Sequence, residues 1–239
     1  MNAIADDVVE ALESYADPLR AVREAAYLKS DLRHLGVRVP VIRKITRSAM
    51  SEHTVNARRD VLTLAETLWA EPVHERRMAA VEALRYRVAT LTVADLEVIE
   101  RFLREARTWA LVDFLACDVS GEIADRFAAA GDVLDRWSTD DDFWLRRSAL
   151  LALLVPLRNG GGDWARFSRY ADAMLDEREF FIRKAIGWVL RDTAKKRPDL
   201  VASWLRERPE RVPVLAVREA VKPLPETERV ELMGRALRR

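Results

Sequence analysis

Apolar residues recur along this chain at spacings of three and four. Leu19, Val22 and Ala26 follow Asp17-Pro18, and Leu96, Ile99 and Leu103 follow Thr92 and the acidic Asp95. That spacing lines up side chains on one face of an α-helix. Pro18, Pro40, Pro72, Pro198 and Pro225 each precede such a segment. Proline's fixed φ and missing N–H suit the first helical turn. Alternation of apolar and polar residues, the mark of a half-buried strand, is not convincing anywhere. The chain has only 8 glycines, three of them together at Gly160-Gly161-Gly162, and runs of Ala, Leu, Arg and Glu fill the stretches between breakers. Such composition favours helix nearly throughout. The pattern predicts an all-α fold.

An internal repeat sharpens that expectation. Phe143-Trp144-Leu145-Arg146-Arg147-Ser148-Ala149-Leu150 lines up with Phe180-Phe181-Ile182-Arg183-Lys184-Ala185-Ile186-Gly187 at an offset of 37. Arg76-Arg77 lies 70 before Arg146-Arg147, twice 35, and Trp109 lies 35 before Trp144. A period of about 35–40 residues with two helices per unit marks a helical-hairpin solenoid of the HEAT or armadillo type. Such repeats coil into a superhelix with one concave face. The expectation is one continuous domain over residues 1–239, with Gly160–Gly162 as an inter-repeat loop.

Composition agrees with a folded protein. Of 239 residues, 49% are hydrophobic and 33% charged, too apolar for a disordered chain. Forty basic and 39 acidic residues leave a net charge of +1, which neither announces nor excludes a polyanionic partner. Their distribution is uneven. Arg38, Arg43, Lys44 and Arg47 cluster early and Lys195-Lys196-Arg197 later, while acids gather at Asp6-Asp7, Asp140-Asp141-Asp142 and Asp176-Glu177. The recurring basic pairs have two readings. They are either salt-bridged or solvated helix starts, or a phosphate-binding track stacked along the concave face. Spacing alone leaves both open. The single cysteine, Cys117, sits among Phe114, Leu115 and Ala116 and reads as a packing residue. The N-terminus lacks the basic and long apolar regions of a signal peptide, and no uncharged run approaches the ~18 residues of a membrane span. A soluble, cytoplasmic protein without a membrane partner is expected.

Little conventional active-site chemistry is visible. His34, His53 and His74 lie at unrelated spacings, so no metal site is expected, and Gly160–Gly162 lacks the Lys-Ser/Thr of a P-loop. What remains is aromatic residues beside charge. Trp109 and Asp113 are four apart, which places an indole and a carboxylate side by side on a helix, and Trp188 lies one turn from Lys184. A lone tryptophan on a repeat helix is usually core. Asp113, inside the apolar run Leu111-Val112-Phe114-Leu115, needs a partner if buried or a use if it faces a groove.

Four segments in order carry a resemblance. They are Tyr27-Leu28-Lys29 followed by Leu35-Gly36-Val37 and Pro40; Trp109 with Asp113; Trp144-Leu145-Arg146-Arg147; and Glu179 to Arg191 followed by Ala194-Lys195. Over residues ~20 to 200 the chain resembles the HEAT-like DNA alkylation repair glycosylases, the AlkD family. It departs from the family pattern at Ala110, where relatives often carry an Asp, and at Leu32 and His34, which replace aromatic positions. The resemblance implies a monofunctional glycosylase that removes 3-methyladenine and 7-methylguanine from duplex DNA. It implies contacts to the deoxyribose and backbone at the lesion, without a base-reading pocket. Asp113, Trp109 and Trp188 take the catalytic positions. Arg147 is implied as a backbone anchor and Tyr27 as an aromatic near the DNA; Lys29, Arg43, Arg183, Lys184 and Arg191 are further phosphate-contact candidates. No cofactor is required, and a monomer is expected. A non-catalytic DNA-binding relative and a protein-interaction scaffold are the alternatives. A scaffold would show exposed apolar or acidic residues on its concave face.

Overall fold

Helices begin where side chains can satisfy the first free backbone N–H groups. A computed structural model of the chain, describing residues 2–238, shows Asp17, Asp142 and Asp163 accepting from the backbone N–H of Arg20 (3.0 Å), Trp144 (2.8 Å) and Arg166 (2.8 Å). Pro18, Pro40 and Pro198 occupy first turns, and Thr92 with Asp95 forms a reciprocal capping box. Pro225 is itself an N-cap, and Pro72 lies just outside the helix that begins at His74. No strand forms among the described residues, and none of their helices is long and apolar enough to cross a membrane. The fold is all-α, of the helical-repeat type expected.

The chain divides into two compact units, Met1–Leu115 and Ala116–Arg239. The first contains α1 (Asn2–Ser14), α2 (Pro18–Leu28), α3 (Val39–Glu52), α4 (Arg58–Trp69), α5 (His74–Tyr86), α6 (Leu96–Ala106) and α7 (Trp109–Phe114). Its centre is α5, buried from His74 to Leu84 except for the half-exposed Arg76 and packed on α3 and α4. A π-helical turn, Leu115–Ser120, follows α7. The second unit contains α8 (Gly121–Arg126), α9 (Ala130–Trp137), α10 (Phe143–Leu151), α11 (Leu154–Arg158), α12 (Trp164–Met174), α13 (Phe180–Ala194), α14 (Pro198–Arg206), α15 (Val214–Ala220) and α16 (Glu226–Ala236). Its centre is α13, which packs on α10, α11, α14 and α15. Cys117 is buried, as a packing residue should be.

The sequence period returns as a ladder of polar contacts between successive repeats. In the first unit Arg43 meets Glu82 (39 apart), Arg58 meets Asp95 (37) and Trp69 donates to Glu105 (36). In the second, Arg158 meets Asp192 (34), Arg208 meets Asp172 (36) and Trp204 donates to Ser168 (36). Arg77 and Arg147, 70 apart in sequence, share a structural use. Both are buried, and their guanidinium groups donate to the carbonyls of Glu105 (2.7 Å) and Phe181 (2.5 Å). Each also lies over a ring, Arg77 over Trp69 at 4.9 Å and Arg147 over Phe181 at 5.8 Å.

One expectation is corrected in the first unit. His34 and His74 are not at an unrelated spacing but 40 apart, one repeat on. A parallel bridge joins Arg33 to Val73, with Arg33 N–H on the Pro72 carbonyl (3.1 Å) and His74 N–H on the Arg33 carbonyl (2.8 Å). The rings of His34 and His74 therefore stack, with centroids 4.6 Å apart and planes 12° apart. Beside them the fully buried Glu75 carboxylate accepts from the backbone N–H groups of Leu35 (2.8 Å), Gly36 (2.6 Å) and Val37 (3.3 Å). Gly36 sits at φ +83°, and a Cβ there would lie 2.2 Å from the Asp17 carbonyl oxygen. Burial, with the neighbouring His34, pushes the His74 imidazole down to about 3. Burial also lowers His34, against the opposing pull of Glu75 and Glu24.

Two outcomes are expected at the seam between α13 and α15. Gly187 faces α15 so closely that a Cβ would lie 2.9 Å from both Ala216 Cα and Glu219 Cβ. Gly187→Ala should lower stability by about 1–3 kcal/mol, the usual cost of overpacking, read from a melting curve. Glu219, 8% exposed, takes Lys222 (2.8 Å), Lys184 (3.1 Å) and Arg191 (2.6 Å). Hydrogen bonds from Lys222 and then Lys184 hold its carboxyl down to about 2, against the effect of burial. The unfolded chain protonates Glu219 near its ordinary 4.5, while the folded chain resists until about 2. Its stabilisation, about 3 kcal/mol, is thus complete above pH ~4.5 and lost as the pH falls towards 2. Glu219→Gln should remove it at neutral pH and flatten this part of the acid unfolding profile.

Candidate functional site

Trp109 opens a helix because the two residues before it end the previous one. Arg107 closes α6 in the left-handed region (φ 49°), and Thr108 is extended (φ −148°, ψ 137°). Within α7, Leu111 and Val112 are buried, while Trp109 and Asp113 are partly exposed. The indole and the carboxylate thus lie one turn apart on the side of α7 that the core leaves open. Tyr27 comes to them from α2. Its ring, 74% exposed, stands edge-on to Trp109, with centroids 6.0 Å apart and planes at 81°. Lys29 follows as the exposed C-cap of α2, also left-handed at φ 49°. Directly after α7 comes the π-helical turn, a form that is rare in proteins and frequent at functional sites.

Arg43 has an internal partner. Its guanidinium spans both Glu82 oxygens (3.0 and 3.2 Å), and the fully buried Glu82 is shared with Arg85 (2.5 Å). Arg85 in turn lies over the ring of Phe114, the residue after Asp113, at 4.7 Å.

In the second unit Trp188 is half-buried on α13, and its indole N–H donates to Asp192 Oδ2 at 3.2 Å. Trp188 and Asp192 repeat the Trp-x-x-x-Asp spacing of Trp109 and Asp113. The two acids differ in burial. Asp192 is 2% exposed and ringed by Arg158 (2.6 Å), Lys195 (2.7 Å) and Arg191 (3.5 Å), whereas Asp113 is partly exposed. Burial works to raise the Asp192 carboxyl, but hydrogen bonds from Lys195 and Arg158 outweigh it and hold the group below the ordinary range. Arg147 is buried on the Phe181 carbonyl, Arg183 donates to the Glu177 carbonyl (2.7 Å), and Lys184 and Arg191 converge on Glu219.

Sequence reasoning did not single out Glu82, Asp192 or Glu219. The signal that could have found them is an acid about one period from a basic residue: 43 to 82, 158 to 192 and 184 to 219. Chemically, the Tyr27–Trp109–Asp113 group offers aromatic faces and one carboxylate at an open surface. Both favour a positively charged guest.

The sequence matches the family described as DNA alkylation repair enzyme over residues 8–224. No curated protein matches it. Among solved structures, a predicted DNA alkylation repair enzyme from Enterococcus faecalis is 21% identical with a TM-score of 0.79, covering 88% of this chain and 97% of that one. AlkD2 from Streptococcus mutans is 19% identical with a TM-score of 0.55, covering 90% and 97%. The protein smu.31 from Streptococcus mutans UA159 is 20% identical with a TM-score of 0.52, covering 84% and 96%. At such identities the structural likeness speaks to the fold alone. The sequence match takes in α7, α13 and every residue singled out above, and by it this chain belongs to the DNA alkylation repair enzyme family.

Proposed function

We propose that the protein is a monofunctional DNA glycosylase that hydrolyses the N-glycosidic bond of cationic alkylated purines, 3-methyladenine and 7-methylguanine, in duplex DNA. The observation that carries the reading is the pairing of Trp109 and Asp113 on the open side of α7, with Tyr27 against the indole. An alkylated purine already bears a positive charge. When its bond to C1′ breaks, the electron pair leaves with the base and neutralises it, so no general acid is needed. The positive charge passes to the sugar as an oxocarbenium ion. The Asp113 carboxylate stabilises that cation and orients the water whose oxygen bonds to C1′, taking up the proton released. The π face of Trp109 favours the same charge. On the family resemblance, Trp188 is proposed to contact the sugar and Arg147 the phosphate backbone. This chemistry requires no cofactor, and the protein is proposed to act as a monomer in the cytoplasm.

Asp113→Asn tests the assignment most directly. It preserves shape and removes charge, and loss of a preorganised electrostatic group costs ~3–4 kcal/mol in the transition state, about two to three orders of magnitude in rate. Duplex affinity should stay the same or tighten, because a negative charge facing phosphates is gone. Trp109→Ala and Trp188→Ala should each slow release by less. Chromatography of bases released from methylated duplex DNA gives the rates, and unimpaired release by the Asn variant sinks the catalytic role of Asp113. Binding without any release by the wild type would leave a DNA-binding relative instead.

Salt dependence should be moderate. Lys29 and Arg183 form no ion pair among the described residues, whereas Arg43, Lys184 and Arg191 each have a carboxylate. Lys29 and Arg183 make about two contacts, so log K against log salt should slope at roughly −2, not the −4 to −5 of five contacts. Lys29→Ala should make the slope shallower by about one. Lys184→Ala should lower the melting temperature and leave the slope nearly unchanged.

A further inference from the structure

We infer that Glu24, His34 and Glu75 form a binding site for a divalent transition-metal ion of the Zn2+ type, separate from the residues proposed for DNA chemistry. One donor atom from each residue, two carboxylate oxygens and one imidazole nitrogen, lies within 4.8 Å of the other two. Direct hydrogen bonding does not account for this closeness, because both ring nitrogens of His34 are buried without a hydrogen-bond partner among the described residues. The stacked His74, 6% exposed, adds a third such nitrogen, its Nδ1. Buried polar atoms are rarely left in this state, and each one asks for an explanation. An ion at ~2.0–2.2 Å from nitrogen and oxygen ligands supplies one, since it sets its donors about 3–4 Å apart. The contraction required falls on Glu24, a half-exposed arm of α2 whose Oε1 also accepts from Arg20.

The surroundings suit a ligand set. Glu75 is held by the backbone N–H groups of Leu35, Gly36 and Val37, so its oxygens are fixed before any ion arrives. Hydrogen-bonded carboxylate ligands of this sort are the rule around bound metals. The Arg33–Val73 bridge and the stack on His74 fix the backbone and ring plane of His34. Imidazole with two carboxylates suits Zn2+ and its first-row neighbours better than Ca2+ or Mg2+, which prefer oxygen alone. His34 and Glu75 lie on opposite sides of the bridge and Glu24 on α2, so the ion would tie α2 to the start of α5. Tyr27 is three residues on from Glu24, and the same tie would steady its contact with Trp109.

The test uses the untagged full-length chain, stripped with a chelator and titrated with Zn2+ by calorimetry. One saturable site per chain is expected, with a melting temperature raised by about 5–10 °C when Zn2+ exceeds its Kd a hundredfold. Co2+ should give the d–d absorption of an imidazole–carboxylate site. His34→Ala and Glu24→Gln should each weaken binding at least tenfold and abolish the Co2+ band, while His53→Ala, whose residue pairs with Asp7 elsewhere, should change neither. Glu24→Gln alters a half-exposed side chain and its surface ion pair with Arg20, not the core, so its result stands even if His34→Ala folds poorly. Absence of saturable binding in the wild type, or wild-type binding in Glu24→Gln, overturns the site.

Discussion

A carboxylate taken out of water must be met by donors, and that constraint organises this protein. Glu75, Glu82, Asp95, Asp192 and Glu219 are all buried or nearly so. None is satisfied by its own helix alone. Glu75 is answered by the backbone of residues 35–37, Glu82 by Arg43, Asp95 by Arg58, Asp192 by Arg158 and Glu219 by Lys184. Each answer crosses from one repeat to another. Apolar stacking between helices tolerates sliding, whereas a buried acid does not, because misalignment leaves it unpaired at a cost of about 3–5 kcal/mol. The acids therefore set the register in which the helices bury their apolar faces.

This arrangement also explains why the charge balance is nearly neutral in a protein assigned to a DNA repair family. A large share of the arginines and lysines is engaged inside the stack. Arg43, Lys184 and Arg191 stand at positions suggestive of phosphate contact, yet each holds a buried acid. What an open surface offers to a polyanion is then a smaller set of side chains than composition suggests. The distinction between Asp113 and Asp192 follows from the same accounting. Equal spacing from a tryptophan gives one acid that is buried and one that is partly exposed.

Much of the fold was legible in the sequence. Apolar spacing of three and four gave the helices, Asp17 and Thr92 marked their starts, and the period near 35 gave the repeat. The pairing of Trp109 with Asp113 was legible because it is local to one helical turn. Tyr27 against Trp109 was not, since it joins α2 to α7 across the whole first unit. The same reason hid His34 on His74 and the partners of the arginines. Periodicity says that residues about 35–40 apart are neighbours, but a helical hairpin offers several candidates at that distance. Which arginine meets which acid is decided by the tilt and rotation of each helix, and no linear pattern records these.

Two helix ends in the first unit carry a further implication. Lys29 closes α2 just after Tyr27, and Arg107 closes α6 just before Trp109, both at φ 49°. Chains ordinarily place glycine at such ends, because a β-carbon in that conformation costs about 1–2 kcal/mol. Selection for stability alone would have favoured glycine at both positions. Lysine and arginine at these two ends carry conformational strain that glycine would avoid. The backbone on both sides of the Tyr27–Trp109 contact is thus less than optimal for folding, and Lys29→Gly and Arg107→Gly would each relieve that strain.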